Sequence, residues 1–182
     1  GVAVANYLSE KGIDIVSSET LLLKNSAKVT FIVDVLKVLQ NPSDEETRFE
    51  MLYFLHQHLQ IEKPKHVFFN EFAKSDNQTI LESLKNLGVT FNISAFHQLP
   101  FYEKIEEIIR GFNLINSSDA YLQFFLDVVL EQQRNGTDVG EFLEFWELKK
   151  ERLSIVAPES ASAVQIMTIH KSKGLEFPVV IF

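Results

Sequence analysis

The residue types most able to do chemistry gather near the end of the chain, in the stretch VQIMTIHKSKGLEFPVVIF that spans residues 164–182. A β-branched, apolar run predicts a buried strand that ends near Thr168, and polar side chains follow it. Polar groups just beyond a strand end lie where open α/β sheets bind ligands. Lysine and histidine there can neutralise phosphates, although with few contacts and therefore weak affinity. The polar cluster consists of Thr168, His170, Lys171, Ser172 and Lys173.

Gly174 and Glu176 add two further features to this stretch. Glycine permits a positive φ or a close approach of the backbone to a ligand. The carboxylate of Glu176 can accept hydrogen bonds from a sugar hydroxyl. The alternative that spacing alone leaves open is a solvated turn with ordinary charges, because short motifs often match by chance.

The chain ahead of this segment is predicted to be mainly helical. Val29, Ile32, Val33 and Leu36 recur at helical spacing, which predicts a helix that ends before Pro42. Later helices are predicted over residues 65–73, 78–87, 101–112, 119–134 and 139–153. Strand-like patterns occur near the two ends, at residues 13–17, 164–169 and 178–182. The sequence therefore predicts an α/β fold with predominantly helical content.

Three pairs of residues mark the ends of predicted helices. Ser43 and Glu46 have the spacing of a capping box, so a helix is predicted to start at Ser43. Asp138 and Glu141 repeat that spacing before the last helix. Asn135-Gly136 is typical of the end of a helix.

Composition excludes several classes of protein. The chain has 182 residues of which 46% are hydrophobic, enough for a core, and it contains no cysteine, so disulfides and thiolate sites are absent. No apolar run approaches the roughly 18 residues of a membrane span, and no signal peptide is visible. We therefore expect a cytoplasmic location and no membrane partner. The net charge of −8 indicates that the chain as a whole is not an electrostatic clamp for nucleic acid.

No complete active site is recognisable. The sequence lacks the GxxxxGK[ST], GxSxG and HExxH signatures. His56 and His58 are two residues apart on a predicted helix, which directs them away from one another, so no metal site is predicted. A stand-alone hydrolase that uses His170 has little support, since neither a nucleophile nor an orienting carboxylate can be assigned to it.

Phenylalanine is unusually frequent, with 16 residues, most of them in predicted helices. The favoured interpretation is a helical core that is rich in aromatic side chains. A stacking platform for bases is the alternative, but such platforms need basic residues among the rings, and those are sparse here.

Residues 167–177, MTIHKSKGLEF, closely resemble motif V of the UvrD/Rep-like superfamily 1 DNA helicases, the group that includes the RecB and AddA helicase-nucleases. The family pattern reads Met-Thr, an aliphatic residue, His, any residue, Ser or Ala, Lys-Gly-Leu-Glu, and Phe or Trp. The early stretch LSEKGIDIVSSETLLLKNSAKVTFIVDVLKVLQNPSDE also resembles the segment after motif IV. Together the two matches cover about 60 of the 182 residues.

The resemblance implies an architecture. Residues 1–60 would be the first part of the RecA-like subdomain 2A, 61–160 a helical insertion similar to subdomain 2B, and 161–182 the return to subdomain 2A with motif V. The fold would then be a partial RecA-like, P-loop-type sheet layer interrupted by an all-α insertion. We expect the chain to be a piece of a larger helicase that begins after motif IV and ends before motif VI.

The resemblance also implies roles for individual residues. Glu176 would contact the nucleotide ribose, and Gly174 would lie close to the phosphates. Thr168 and His170 would face single-stranded DNA and couple the nucleotide state to the grip on DNA, with Ser172 and Lys173 in the same turn. No catalytic residue and no metal ligand is assigned in this chain.

The implied function is ATP-dependent translocation on single-stranded DNA with unwinding of duplex, in DNA recombination or repair. ATP and Mg²⁺ would be cofactors of the full-length protein, and this chain alone is expected to bind neither and to be inactive. The expected partners are single-stranded and duplex DNA and a nuclease domain or subunit. The competing hypothesis is an acidic helical protein-interaction module with no nucleotide role.

Overall fold

The computed structural model describes residues 11, 15–17, 22–72, 75–115, 119–155, 164–167, 173, 176 and 179–180. The chain divides into two compact units. One is continuous and runs over residues 23–153, and the other combines residues 1–22 with residues 154–182. The predicted boundaries at residues 60 and 160 concern helicase subdomains, and they stay a prediction.

The unit of residues 23–153 is helical in all of its described regular structure. It begins with a 3-10 turn at Leu23–Asn25, and a second 3-10 turn at Lys85–Leu87 follows the fourth helix. The α-helices are α1 (Ala27–Gln40), α2 (Glu45–His58), α3 (Lys65–Phe72), α4 (Asn77–Leu84), α5 (Ile93–Gln98), α6 (Phe101–Gly111), α7 (Ala120–Arg134) and α8 (Val139–Lys149). The predicted helices are present, whereas the six-residue helix α5 was not predicted.

Side-chain caps determine where most of these helices start. The oxygen of each capping residue accepts a hydrogen bond from a backbone N–H of the first turn, which would otherwise lack a partner. The capping box at Asp138 and Glu141 is confirmed. The prediction at Ser43 is wrong by one residue, because Asp44 accepts from both the backbone and the hydroxyl of Thr47. The caps with this bond are Ser26, Asp44, Asp76, Asn92, Asp119 and Asp138.

Helix α1 forms the centre of the helical unit. Its buried side chains lie on several sides of the helix, and it contacts α2, α6, α7 and α8. A helix that is apolar around most of its circumference must be enclosed by others. Its buried residues are Val29, Phe31, Ile32, Val33, Val35, Leu36 and Val38.

Aromatic side chains fill much of this interior, as predicted. Phe31 on α1 stacks on Phe54 at 4.5 Å between ring centroids and meets the edge of Phe112 at 5.0 Å. A second group surrounds Phe125, with Phe142 at 5.9 Å and Trp146 at 5.6 Å. Such pairs stabilise a core beyond the apolar area that they bury.

The predicted fold class is wrong in its sheet. Among the described residues the strands are limited to β1 (Ile15–Ser17) and β2 (Val164–Ile166), which pair in parallel with Ile15 opposite Val164. Two strands of three residues do not make a sheet layer, so the described part of the chain contains no partial RecA-like layer. A β-branched run forms a strand only where a neighbouring strand binds its backbone. Val179 and Val180 lie in the run predicted as a strand, but both are exposed and neither has strand structure.

Candidate functional site

The motif V segment begins directly after β2. β2 ends at Ile166, and Met167, half-buried, continues the chain towards the polar cluster. Of the predicted site residues, Thr168, His170, Ser172 and Gly174 lie outside the described residues, as does Lys171. Lys173 and Glu176 are described.

Both described residues of the motif are exposed to solvent. Lys173 lies in a turn, and Glu176 has no regular secondary structure. Neither has a hydrogen-bond or ion-pair partner within the described part of the chain. Their side chains are therefore available to a ligand, and the described contacts do not bring them together.

A small apolar cavity lies between α1, α2 and α4 in the helical unit. Its volume is about 20 Å³, and ten of its lining residues are apolar, including Val35, Leu55, Ile80 and Phe112, with Asn77 as the polar exception. A space of this size holds about one water molecule, and an apolar lining leaves it dry. It is a packing defect and not a nucleotide site.

Two of the described histidines bond backbone carbonyl groups. His56 Nε2 lies 2.7 Å from the carbonyl oxygen of Lys63, and His58 Nε2 lies 3.0 Å from the carbonyl oxygen of Phe112. Across the described residues no group of acidic or histidine side chains is arranged to hold a metal ion. His56 and His58 therefore contact different parts of the chain.

Asp34 is an unusual carboxyl inside the helical unit. It is half-buried on α1, and burial, reinforced by the carboxylates of Glu50, Asp44 and Glu147, raises its pKa to about 7. Lys37 lowers this pKa, but the Lys37 ammonium bonds Glu147 at 2.7 Å. Sequence analysis missed Asp34, although a single acidic residue within the apolar run VTFIVDVLKVL was a signal.

Lysine–carboxylate pairs connect α1 and the turn before it with α7 and α8. Lys24 bonds Glu151 at 2.5 Å, and Lys28 bonds Asp119 at 2.9 Å. Burial alone would raise the pKa of Asp119, but the bonds from Lys28 and from backbone amides hold it below its ordinary value. Hydrogen bonds from Lys150 and Lys37 likewise lower the pKa of Glu147. Each of these carboxylates already bonds the ammonium group of a lysine, so their role is structural.

An exposed group of rings lies on α2 and α3. Phe49 and Tyr53, one turn apart on α2, are 47% and 38% exposed. Phe69 of α3 lies 4.6 Å from Phe49 and 6.5 Å from Tyr53 between ring centroids, and the Lys65 ammonium lies 4.3 Å from the Tyr53 ring. We call Phe49, Tyr53, Phe69 and Lys65 the aromatic surface. The prediction of aromatic core filling did not anticipate it.

Comparison with known proteins identifies the second half of the chain. Residues 101–182 match the model of the UvrD-like helicase C-terminal domain, over a span that includes α6, α7, α8 and the motif V segment. The match supports a UvrD-like superfamily 1 helicase C-terminal region over these residues, and the resemblance found in the sequence is confirmed.

Two other findings bear on the classification. No curated protein matches the chain significantly. Within the part of the chain that the structure describes, no helix has both the length and the apolar character needed to cross a membrane.

Proposed function

We propose that the chain contributes motif V to an ATP-dependent DNA helicase that translocates on single-stranded DNA and unwinds duplex, in DNA recombination or repair. The observation that carries this proposal is the match of residues 101–182 to the UvrD-like helicase C-terminal domain, because that span contains the whole Thr-Ile-His-Lys-Ser-Lys-Gly-Leu-Glu segment. A nuclease domain or subunit is a proposed partner of the complete protein.

The proposed nucleotide contacts are Glu176 and Gly174. The carboxylate of Glu176 would accept a hydrogen bond from the ribose, and the absence of a side chain at Gly174 would let the backbone approach the phosphates. The exposure of Glu176 supports this role, since no described protein group competes for its oxygens. ATP and Mg²⁺, when bound, supply the phosphoryl transfer that drives movement on DNA.

The proposed DNA-facing residues are Thr168, His170, Ser172 and Lys173. Their hydroxyl, imidazole and ammonium groups are donors suited to phosphate oxygens, and backbone contacts of this kind grip a strand without reading its sequence. These residues precede Gly174 and Glu176 within one short segment. A shift of the turn on nucleotide binding would therefore also move the residues that contact DNA.

The proposed domain organisation follows the same resemblance. Residues 1–60 and 161–182 belong to the second motor subdomain, and residues 61–160 form the helical insertion. The continuous helical unit of residues 23–153 contains the described helices between residues 61 and 153 together with α1 and α2 from the segment before them.

The decisive experiment is DNA-stimulated ATP hydrolysis by the natural full-length protein with Glu176→Gln or His170→Ala. We expect Glu176→Gln to raise the KM for ATP at least about tenfold, since the loss of a hydrogen bond to a charged group costs about 1.5–3 kcal/mol. His170→Ala should instead reduce the stimulation by DNA. Glu82→Gln, an exposed position on α4, is the matched control.

Unchanged hydrolysis in both variants would show that motif V is only a solvated turn in this protein. That result would favour the alternative, an acidic helical protein-interaction module with no nucleotide role. The 182-residue chain itself should not hydrolyse ATP, because its sequence holds no GxxxxGK[ST] loop. Turnover above that of a mock purification would contradict this expectation.

A further inference from the structure

We propose that the aromatic surface is the contact face of a weak homodimer, in which helix α2 packs antiparallel against α2 of a second copy across a two-fold axis. The surface, made by Phe49, Tyr53, Phe69 and Lys65, belongs to the helical unit. It lies outside the motif V segment and outside the span that matches the helicase domain, and the proposal does not depend on the helicase function.

The rings of this surface are accessible and held from behind. Phe49 and Tyr53 are 47% and 38% exposed, and they project from the middle of a fourteen-residue helix that fixes their backbone. Phe69 lies beside both rings and is backed by buried Phe68 at 5.8 Å. Rings that are already ordered lose little freedom on association, and a few such aromatic residues supply most of the affinity of an interface.

Charges of opposite sign lie towards opposite ends of this face. Glu46 and Glu50 are exposed and precede Phe49 and Tyr53 by three residues each, so they share one side of α2 and make its beginning acidic. The Lys65 ammonium lies over the Tyr53 ring, about 10 Å further along the helix axis than Glu46. Within the described part of the chain the side chains of Glu46, Glu50 and Lys65 form no ion pair.

A two-fold axis brings these opposite ends together. In an isologous contact the same patch serves both copies, so residue i meets residue j and residue j meets residue i. If the axis crosses α2 between Phe49 and Tyr53, each Phe49 ring faces the Tyr53 ring of the other copy. Each Lys65 then faces Glu46 and Glu50 of the other copy, and the two helix dipoles run in opposite directions.

Other occupants match only one end of the face. A nucleic acid would meet two carboxylates and a single lysine, which is the wrong balance for phosphates. A uniformly acidic peptide would pair with Lys65 and be repelled by Glu46 and Glu50, and a uniformly basic peptide would have the reverse difficulty. A second copy of the chain presents rings at the centre and both charges in the required order.

The size of the surface sets the strength of the contact. Four residues and a charged rim are fewer than the roughly 20–30 residues on each side of a standard interface. We therefore expect a dissociation constant on the order of 10⁻⁵ M, with the rings supplying the affinity and the charges fixing the antiparallel orientation.

The test is sedimentation velocity of the 182-residue chain without ATP or DNA, at protein concentrations from about 1 to 500 μM, which bracket that constant. We expect Phe49→Ala and Tyr53→Ala each to weaken dimerisation by about tenfold or more. Leu148→Ala on α8 is the matched control, because Leu148 is 79% exposed and lies outside the surface. Unfolding in urea shows whether each variant is folded.

Exchange of charges tests the orientation at exposed positions where folding is little affected. Lys65→Glu alone places like charges in contact twice in the homodimer, and so does the variant with both Glu46→Lys and Glu50→Lys. Both variants should therefore dimerise less than the unmodified chain. An equal mixture of the two should recover heterodimers with about the original affinity, because opposite charges then meet at both contacts.

A chain that stays monomeric at all concentrations would overturn the proposal, as would equal dimerisation of Phe49→Ala, Tyr53→Ala and Leu148→Ala. Failure of the mixed charge variants to recover heterodimers would refute the antiparallel two-fold contact. A labelled oligothymidine, or an acidic or basic peptide, that binds this face of a monomeric chain would assign it to another occupant.

Glu176→Gln separates this proposal from the helicase function. The variant should dimerise like the unmodified chain, because Glu176 lies outside the aromatic surface. A full-length Glu176→Gln protein with unchanged ATP hydrolysis would contradict the nucleotide contact and leave the dimer standing. Conversely, a monomeric chain would leave the helicase function untouched.

Discussion

The helical unit and the motif V segment differ in what their side chains contact. The helical unit has an enclosed core of large residues, in which Phe31, Phe112, Phe125 and Phe142 are almost completely buried. In the segment after β2 the described side chains beyond half-buried Met167 face solvent, including Val179 at 77% exposure. A region that is stabilised by its own contacts and a region whose described side chains are mostly exposed thus occur in one chain.

This difference predicts where substitutions act. Loss of a buried contact lowers the free energy of unfolding, because a cavity or an unpaired group remains. Loss of an exposed polar group leaves folding nearly unchanged, so its effect is seen only when the ligand is present. The four predictions that follow run from the largest expected effect to the smallest.

Phe142→Ala should lower the free energy of unfolding by about 3–5 kcal/mol, because the ring is fully buried and large-to-small changes of this type leave a cavity. Phe142 packs on Phe101 at 4.9 Å and on Phe125. Urea denaturation followed by circular dichroism measures the change. Leu148→Ala on the same helix should alter it by less than about 0.5 kcal/mol. Similar losses in both variants would contradict an enclosed helical core.

Gly111→Ala should destabilise the helical unit by about 1–3 kcal/mol, as overpacking does. A β-carbon at Gly111 would lie 2.7 Å from the Cα of Phe91, and the Thr90 N–H donates to the Gly111 carbonyl at 2.8 Å, so the two backbones cannot separate freely. Gly140→Ala is the control, since its nearest neighbour would be 3.4 Å away, and up to about 1 kcal/mol of stabilisation is expected there. Thermal unfolding of the two variants compares them, and equal midpoints would refute the close approach.

Asp34 makes the stability of the helical unit depend on pH. Because its pKa is raised from 3.8 to about 7, the folded state binds a proton that the unfolded state has lost between these values, and stability falls as pH rises through that window. Asp34→Asn should therefore raise the free energy of unfolding at pH 8 by about 1–3 kcal/mol and change it little near pH 4.

Urea titrations of the Asp34→Asn variant at pH 4, 6 and 8 would measure this dependence. Asp127→Asn, at an exposed position on α7, is the control. An Asp34→Asn effect that is the same at all three values would show that ionisation of Asp34 does not oppose folding.

Glu176→Gln should change the free energy of unfolding by less than about 0.5 kcal/mol, because the side chain is exposed. This is the smallest expected effect on the free energy of unfolding. The same substitution is expected to raise the KM for ATP, and the two measurements together separate a ligand-binding residue from a structural one. A loss above 1 kcal/mol in urea denaturation would place Glu176 among the structural residues.

Much of the helical unit was predictable because its signals are local. Asp138 and Glu141 cap α8 through contacts three residues apart, and Gly136 adopts the left-handed conformation, with a φ of 80°, that ends the preceding helix. Helix α5 was missed because six residues carry too few periodic positions. The strand at residues 178–182 was predicted from β-branched side chains alone, which cannot report whether a pairing neighbour exists.

The candidate site was predictable in a different way. The motif V residues were recognised by the order of residue types along the sequence. The family match confirms the region, but it does not report on the contacts of individual residues with nucleotide or DNA. The aromatic surface could not be found by order, because exposed Phe49 and buried Phe31 have the same residue type and differ only in what packs against them.

The sequence by itself determined most of the helices and the helicase motif, since each depends on residues that are near one another in the chain. Only the tertiary structure decided that Asp34 is enclosed among carboxylates and that Phe49 and Tyr53 remain exposed beside Lys65. The reason is that burial and pKa depend on the distance between helices, and side chains from α1, α2, α3 and α8 meet only after the chain has folded.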